Sequence, residues 1–285
     1  MAEGTVYKQG WTLDDVQWSK FDASRVDPRL LAAAKGAALV EYNAPDYVTY
    51  LKRVFAGDAA AFAAIENWGL EETQHGRALA RWCELADPAF DFEDAVRRFR
   101  AGYKPPHFQG NDEESIRGSR RGEMISRCVV ESGTSSYYSA IRDICEEPVL
   151  KEIAGRIAAD EFRHYKLFYD MMNAQSEPDL PFWRKLMVAV SRIKESDDDE
   201  LAYSFYCGNV PASEEAAKPY DREKYVKLSS AAAMFAYRRH HIARLTQMVA
   251  KAIGAAPQGR LIRVASALIW RMLSLRAAKA ETVAA

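Results

Sequence analysis

The chain has 285 residues, and 48% of them are apolar, so it can bury a sizeable core. It contains 39 lysines and arginines against 40 aspartates and glutamates, and this balance excludes an overall electrostatic attraction to nucleic acid or to anionic membranes. The four cysteines form no C-x-x-C pair, which argues against a zinc knuckle or a rubredoxin-type iron site. Because the N-terminus lacks a secretory pattern and no apolar run could cross a bilayer, we expect a cytoplasmic protein without a transmembrane segment.

The spacing of apolar residues predicts an all-α fold. Good helix formers recur every three or four residues, and strand-like alternation is scarce. Four long core helices are predicted at about 27–56, 58–86, 119–146 and 148–173. A short helix and a long connection are expected at 88–118, between the second and third core helices. Further helices are predicted near 182–205, 221–253 and 258–279.

These elements are expected to form a single domain over residues 1–285. Its core is a four-helix bundle at about 27–174, and additional C-terminal helices at about 182–279 pack on it. The last helical pattern is amphipathic and basic, which is typical of a membrane-surface helix. A helix packed on the bundle or at a subunit interface is the more ordinary interpretation.

The motif Glu-x-x-His occurs twice, as Glu72 to His75 and as Glu161 to His164. Residues three apart lie on one face of a helix, so a carboxylate and an imidazole can bind the same ion. A single copy is usually a surface pair, but here two copies lie on the second and fourth core helices of a chain that has only five histidines.

The other two core helices each place a carboxylate in an otherwise apolar stretch. These are Glu41 in AALVEYNAPDY and Glu131 in CVVESGTSSYY. Burying either group is costly unless its charge is neutralised, and bound metal ions would neutralise it. One glutamate from each of two helices plus Glu-x-x-His from each of the other two is the di-iron carboxylate arrangement of ferritin-like bundles. Oxygen and imidazole donors without thiolates suit iron or manganese.

These motifs resemble those of the soluble acyl-acyl-carrier-protein desaturases, a ferritin-like di-iron family. That family carries W-x-x-E-E-x-x-H-G and A-A-D-E-x-R-H, and this chain has WGLEETQHG at 68–76 and AADEFRH at 158–164. The family pattern E-x-x-L-P-x-Y is matched by EYNAPDY at 41–47, with alanine for leucine, and E-x-x-T is matched by ESGT at 131–134. The resemblance covers residues 10–175, and the last hundred residues contain no matching motif.

The resemblance implies a set of functional residues. Two iron ions would be bound by Glu41, Glu72, His75, Glu131, Glu161 and His164. Thr134 would lie beside the oxygen-binding face, although a small packing residue is an equal alternative there. Asp160 would accept the second N–H of a ligand imidazole, and Arg163 is a candidate charge partner.

The resemblance also implies a function, namely a di-iron, dioxygen-dependent oxidoreductase that is an acyl-acyl-carrier-protein desaturase or a related acyl-chain oxygenase. Its implied partners are acyl carrier protein or another acyl thioester, a ferredoxin-type electron donor and a second copy of the chain in a homodimer. The alternative is a ferritin- or rubrerythrin-type ferroxidase or peroxidase, although such chains are usually shorter or carry cysteine pairs. A helical scaffold without turnover is a third hypothesis.

Two basic regions could bind an acidic carrier or could simply face solvent. The first combines residues on both sides of the long connection: Arg97, Arg98, Arg100, Lys104, Arg117, Arg120 and Arg121. A solvated basic face is the simpler interpretation of this group. The second is the sequence RRHH at 238–241, whose His240 and His241 are interpreted as surface residues rather than metal ligands.

Overall fold

The computed structural model describes residues 10–104, 115–195 and 199–284. The all-α prediction is confirmed, since these residues contain helices and turns and no strand. The first helices are α1 (Pro28–Tyr42), α2 (Ala44–Val54), α3 (Ala59–Ala86), α4 (Phe92–Gly102), α5 (Arg120–Ile144) and α6 (Pro148–Ala174). They are followed by α7 (Phe182–Glu195), α8 (Asp199–Asn209), α9 (Arg222–Ala236), α10 (Arg239–Ala252) and α11 (Arg260–Ala284). Short 3-10 turns precede α1.

Four helices, α1, α3, α5 and α6, form the bundle. Helices α5 and α6 pack as a long antiparallel pair, and so do α1 and α3. Helices α3 and α6 also run antiparallel, because His75 faces Asp160 while Glu71 faces His164. All four helices that carry the predicted metal ligands therefore surround one interior.

Acidic residues begin several of these helices. Asp58 starts α3, and its Oδ1 accepts a hydrogen bond from the backbone N–H of Ala61 at 2.9 Å, as its place after Gly57 predicts. Glu147 starts α6 and accepts the N–H of Leu150 at 2.7 Å. These caps satisfy N–H groups that have no partner within the helix.

The predicted first core helix over 27–56 is wrong as a single element. The chain ends α1 at Tyr42 and begins α2 at Ala44, and the N–H of Asn43 bonds the carbonyl of Val40 at 3.1 Å. Pro45 explains the break, since its ring nitrogen cannot donate to the carbonyl of Glu41 and its ring excludes a continuous helix there. Glu41 consequently lies in the last turn of α1.

Two of the later helical patterns each correspond to two shorter helices, whereas the pattern at 258–279 corresponds to the single helix α11. The pattern at 182–205 corresponds to α7 and α8, and residues 196–198 between them lie outside the described part of the chain. The pattern at 221–253 is divided at 237–238 into α9 and α10. Helix α10 packs on the bundle, because Ser136 Oγ donates to the carbonyl of His241 at 2.9 Å and the Tyr165 hydroxyl donates to that of Met248 at 2.8 Å.

Two hydrophobic clusters fill the interior, and the predicted metal ligands lie where they meet. On α3, Trp68 belongs to one cluster and Leu79 to the other, with Glu72 and His75 between them. On α6, Ala158 and Phe168 flank Glu161 and His164 in the same way. No helix of the described residues is long and apolar enough to cross a membrane.

Gly76 permits a close approach of α1 and α3 directly beside His75. A Cβ at this position would lie 2.6 Å from the backbone nitrogen of Tyr42 and 2.9 Å from the carbonyl oxygen of Ala38. Only a residue without a side chain allows this spacing. The contact fixes the end of α1, and therefore Glu41, relative to α3.

We predict that Gly76→Ala lowers the free energy of unfolding of the metal-free protein by about 1–3 kcal/mol, because backbone atoms of α1 must move. The matched control is Gly133→Ala in the interior of α5, where a Cβ would meet nothing within 4 Å. That change is expected to raise the free energy of unfolding by about 0.5–1 kcal/mol through better helix propensity. Urea denaturation measures both, and equal effects of the two substitutions would contradict the close contact.

Candidate metal centre

The structure brings all six predicted ligands together. They form two overlapping groups, Glu41, Glu72, His75 and Glu161 in one and Glu72, Glu131, Glu161 and His164 in the other. Within each group one potential ligand atom from every residue lies within 4.8 Å of the others. Every one of the six side chains is buried. The two groups share Glu72 and Glu161 and could hold metal ions side by side.

Both imidazoles direct Nδ1 toward the shared glutamates. His75 Nδ1 lies 3.3 Å from Glu161 Oε1, and His164 Nδ1 lies 3.0 Å from Glu72 Oε1. Their Nε2 atoms point the other way, toward carboxylates outside the cluster. Since a carboxylate only accepts, Nε2 carries the proton, and the neutral ring has a lone pair on Nδ1 for a metal ion.

The two outer carboxylates are arranged in a crossed pattern. His75 Nε2 donates to Asp160 Oδ2 at 2.9 Å, and His164 Nε2 donates to Glu71 Oε2 at 2.7 Å. Each carboxylate directly precedes the motif glutamate of one helix and binds the histidine of the other helix. Such contacts fix the tautomer and the orientation of ligand imidazoles.

The sequence interpretation gave Glu71 no role, although its carboxylate binds His164. A signal for it was present, because Glu71 and Asp160 occupy the same place in the two motifs, EETQH and DEFRH. Only the copy at Asp160 was assigned a role. Its own hydrogen bond shows that Glu71 is the equivalent of Asp160 on the opposite helix.

Trp11, which precedes the bundle, and Arg163 of α6 both contact Asp160. The indole N–H of Trp11 donates to Asp160 Oδ2 at 2.7 Å, and its ring stacks on His75. Arg163 hydrogen-bonds Asp160 and also approaches Glu71 Oε1 at 3.4 Å. One guanidinium therefore contacts both outer carboxylates, in agreement with its expected place as a charge partner.

Burial strongly perturbs the protonation of the cluster. Burial and repulsion from Glu72 raise the pKa of Glu41 well above its usual value. Burial and repulsion from Glu161 and Glu72 raise the pKa of Glu131 in the same way. For His164, burial opposes the imidazolium but hydrogen bonds to Glu71 and Glu72 outweigh it, raising its pKa to about 9. In the metal-free protein, protons thus compensate much of the buried negative charge.

When both imidazoles are neutral, several buried atoms at the centre have no hydrogen-bond partner among the described residues, namely His75 Nδ1, His164 Nδ1, Glu161 Oε1 and both carboxylate oxygens of Glu131. Unsatisfied polar atoms in a protein interior are costly and rare. All of them belong to residues of the two groups. This donor set of carboxylate oxygens and imidazole nitrogens fits divalent iron or manganese.

Two hydroxyl groups lie against the ligands. Thr134 Oγ1 donates to Glu161 Oε2, so this residue contacts the centre as the resemblance implies. The buried phenol of Tyr138 donates to Glu41 Oε1 at 2.5 Å. Tyr138 was not predicted, because a tyrosine seven residues after a ligand has no distinguishing pattern. It holds the carboxylate of Glu41, whose helix ends one residue later.

The basic residues near the connection do not form one free surface. Arg98 is buried and bonds Asp94, Glu215 and the carbonyl of Cys207. Arg120 and Arg121 bond backbone carbonyls, and Arg117 pairs with Glu195. Most of these side chains therefore stabilise contacts within the chain, and they form neither a docking surface for a carrier nor a solvated basic face. Three others, Arg97, Arg100 and Lys104, are exposed.

The late histidines form a different kind of cluster with Asp143. His240 is exposed as expected, but His241 is buried, which corrects its interpretation as a surface residue. The backbone N–H of Arg238 donates to His241 Nδ1 at 3.0 Å, so Nε2 carries the proton that it donates to Asp143 at 3.0 Å. With both ring nitrogens hydrogen-bonded, His241 lies in the first turn of α10 and joins this helix to Asp143 of α5.

No protein-family model matches the chain, and no curated protein matches it. The resemblance to the desaturases therefore depends on the four motifs and on the geometry of the cluster. That geometry gives a buried group of glutamates and histidines that could hold metal ions.

Two fully buried glutamates allow a matched test of the ligand prediction. Glu131 has no hydrogen-bond partner among the described residues, and its raised pKa favours the neutral form. Glu131→Gln is therefore expected to leave the melting temperature of the metal-free protein nearly unchanged, because a neutral amide replaces a carboxyl group of the same size that is already neutral. The same variant is expected to lose at least one bound metal ion per chain, measured by elemental analysis after loading with ferrous ion.

Glu147 is the control, because its carboxylate accepts the indole N–H of Trp82 and the N–H of Leu150, both at 2.7 Å. Glu147→Gln is expected to lower the free energy of unfolding by about 1–3 kcal/mol and to retain the metal. Full metal content in Glu131→Gln, or a loss of metal in a folded Glu147→Gln protein, would contradict the assignment.

Proposed function

We propose that this chain is a di-iron, dioxygen-dependent oxidoreductase, and specifically an acyl-acyl-carrier-protein desaturase or a closely related acyl-chain oxygenase. The observation that carries the proposal is the crossed pair of Glu-x-x-His motifs, with Glu41 and Glu131 completing the set. Six ligand side chains in a buried, helical interior suit two ions rather than one. The whole chain is proposed to serve this one site as a single domain.

When bound, a reduced iron pair supplies the activation of dioxygen that removes hydrogen from an unactivated C–H bond. The residues of this chain would hold and orient that pair. Glu41, Glu72, His75, Glu131, Glu161 and His164 would hold it, with the Nδ1 atoms of the two histidines and the carboxylate oxygens of the four glutamates as the donors. Asp160 and Glu71 keep the two imidazoles in the required tautomer.

Thr134 is proposed to act on the substrate side of the centre. Its hydroxyl donates to Glu161, and it follows Gly133, where the structure leaves open space around the helix. A hydroxyl there can hold a proton at a ligand carboxylate oxygen without adding a charge. The predicted catalytic residues are accordingly Thr134 for proton positioning and Asp160 for the orientation of His75.

The surroundings of the centre favour an apolar substrate. Hydrophobic clusters lie on both sides of it, and the ligands themselves exclude water because all are buried. An acyl chain gains free energy by entering such a site, whereas a hydrated ion would lose its water shell. This burial favours the acyl-chain function over a ferritin- or rubrerythrin-type ferroxidase or peroxidase.

The partners are proposed from the resemblance. The acyl chain would arrive on acyl carrier protein or as another thioester, and the electrons would come from a ferredoxin-type donor. The exposed Arg97, Arg100 and Lys104 are the part of the first basic region that remains accessible to an acidic carrier.

The proposal predicts a specific product. Protein loaded with ferrous ion should convert a long-chain acyl-acyl-carrier-protein to an acyl chain that lacks two hydrogens, given dioxygen, ferredoxin and its reductase. Mass spectrometry of the released fatty acid measures the change, and coenzyme A thioesters tested in parallel identify the preferred carrier. A gain of one oxygen would identify the oxygenase variant.

The matched variants are Thr134→Val, which removes the hydroxyl but keeps the shape, and Thr134→Ser, which keeps the hydroxyl. The first is expected to lose at least tenfold in product formation with full iron content, and the second to lose much less. Iron-loaded protein that consumes dioxygen, oxidises excess ferrous ion and leaves every thioester unchanged would refute the desaturase and support the ferroxidase.

A further inference from the structure

The nearly neutral total charge conceals a division between two parts of the chain. Between Lys224 and Ala280 there are eleven lysines and arginines and neither an aspartate nor a glutamate. Since the whole chain has a formal net charge of -1, the other residues together carry -12. The basic segment includes most of α9, all of α10 and most of α11. Its lysines and arginines are exposed wherever the structure describes their side chains, so this end of the molecule attracts anionic surfaces.

Helix α11 has an apolar stripe on its outer face. The exposed fractions of its members run from 45% at Met272 to 84% at Leu261, and the stripe consists of Leu261, Val264, Leu268, Met272 and Leu275. The spacing of three and four residues places these side chains in one line along the helix. At 1.5 Å per residue, the line is about 20 Å long. Helix α11 also contacts α9 and α10, so one face is covered by the protein while the stripe is open to the outside.

A cavity of about 270 Å³ lies between α10 and α11. Its polar lining consists of Arg239, Gln247, Arg263 and Ser266. The two guanidinium groups form no ion pair with other described residues, and Ser266, which is only 7% exposed, hydrogen-bonds none of them through its side chain. Two guanidinium groups with a neighbouring hydroxyl and amide are the kind of donors that bind a phosphate.

The cavity adjoins the stripe. Arg263 and Ala267 line the cavity, and the residues that follow them, Val264 and Leu268, belong to the stripe. Two more exposed arginines border the stripe, at positions 260 and 271, which are four residues before Val264 and three after Leu268. Cationic groups and a row of aliphatic side chains therefore run side by side along α11.

We propose that this end of the molecule binds the surface of an anionic phospholipid bilayer. The cavity between α10 and α11 takes the phosphate of one lipid headgroup, and the stripe of α11 enters the acyl region beside it. An amphipathic helix that lies in the plane of the interface makes both contacts at once. No helix of the described residues could cross a membrane, so the contact is confined to one leaflet.

A bilayer fits this surface better than a protein partner does. Two copies of the face would bring arginines against arginines, which opposes pairing. An acidic protein would neutralise the arginines, but the stripe also requires an apolar partner along its full length. An anionic bilayer offers phosphates at its surface and acyl chains directly beneath them. The inference rests neither on the metal nor on the proposed reaction.

Sedimentation with lipid vesicles tests the proposal on the full chain. Wild-type protein is expected to bind vesicles of phosphatidylcholine with about one-third phosphatidylserine at least about tenfold more tightly than vesicles of phosphatidylcholine alone. Raising the salt concentration from about 0.1 M to about 0.5 M should weaken this binding, because it screens the arginine contacts.

Leu268→Glu tests the stripe. It places a charge among the aliphatic side chains and is expected to weaken binding to phosphatidylserine vesicles at least about tenfold. The matched control is Leu70→Glu on α3, since Leu70 is 63% exposed and Leu268 is 61% exposed. Circular dichroism should stay helical for both variants, and the control should bind within about twofold of wild type.

Arg263→Gln tests the cavity and is expected to weaken binding about fivefold, the effect of one cation near an anionic bilayer. The control is Arg244→Gln, which removes the same charge from the same basic segment. Arg244 lies over the ring of Phe162 on α6 and does not line the cavity, so a smaller loss is expected. Equal losses in the two variants would reduce the binding to net charge and contradict the phosphate site.

A fluorophore that responds to polarity locates the contact in a protein with an intact stripe. Attached to Leu268→Cys, its emission is expected to shift to shorter wavelength when phosphatidylserine vesicles are added. The same label on Leu70→Cys should show no shift. The four native cysteines are buried, so labelling is selective for the introduced thiol.

Several results would overturn the proposal. One is a wild-type protein that does not sediment with phosphatidylserine vesicles, whether or not it binds acyl carrier protein as an acidic partner instead. Another is unchanged vesicle binding in folded Leu268→Glu, which would locate the lipid contact elsewhere. A third is a lipid-free dimer, seen by light scattering, that dissociates in Leu268→Glu, since a second copy would then cover the stripe.

Discussion

The structure depends on the burial of four carboxylates and two imidazoles in one helical interior. Without compensation this arrangement would oppose folding, because carboxylates at such distances repel and have lost their water. Two things can compensate the buried negative charge. Protons do so in the metal-free protein, because the pKa of Glu41 and the pKa of Glu131 are raised. Metal ions would do so by binding the polar atoms that have no hydrogen-bond partner. Protons and metal ions therefore compete for the same side chains, and a bound metal ion would stabilise the folded protein.

The fold meets this constraint through its helix pairing. Antiparallel α3 and α6 place the motif of each helix beside the acidic residue of the other, so Glu71 and Asp160 exchange partners across the interface. Helix α1 completes the site from a fixed position, because Gly76 lets its last turn contact α3. The hydrophobic clusters on either side keep the site dry, which strengthens every electrostatic interaction within it.

The sequence was sufficient to predict the four helices and the residues that meet between them, because periodicity and the repeated Glu-x-x-His motif are local features. It was insufficient for contacts that depend on tertiary placement. Tyr138 binds Glu41 across two helices, and buried Arg98 follows from packing against α8. Two further features have a local signal in the sequence. Pro45 indicates the break at Asn43, and the equivalent positions of Glu71 and Asp160 in the two motifs indicate the contact of Glu71 with a histidine.

We propose that two metal ions bind between His75 and His164 through Nδ1. Crystals of the iron-loaded protein, measured on both sides of the iron absorption edge, test this binding. Two anomalous peaks are expected among the six ligands, with Asp160 and Glu71 still bonded to Nε2. A single peak, iron bound through Nε2, or iron only at Asp143 on the surface would contradict it.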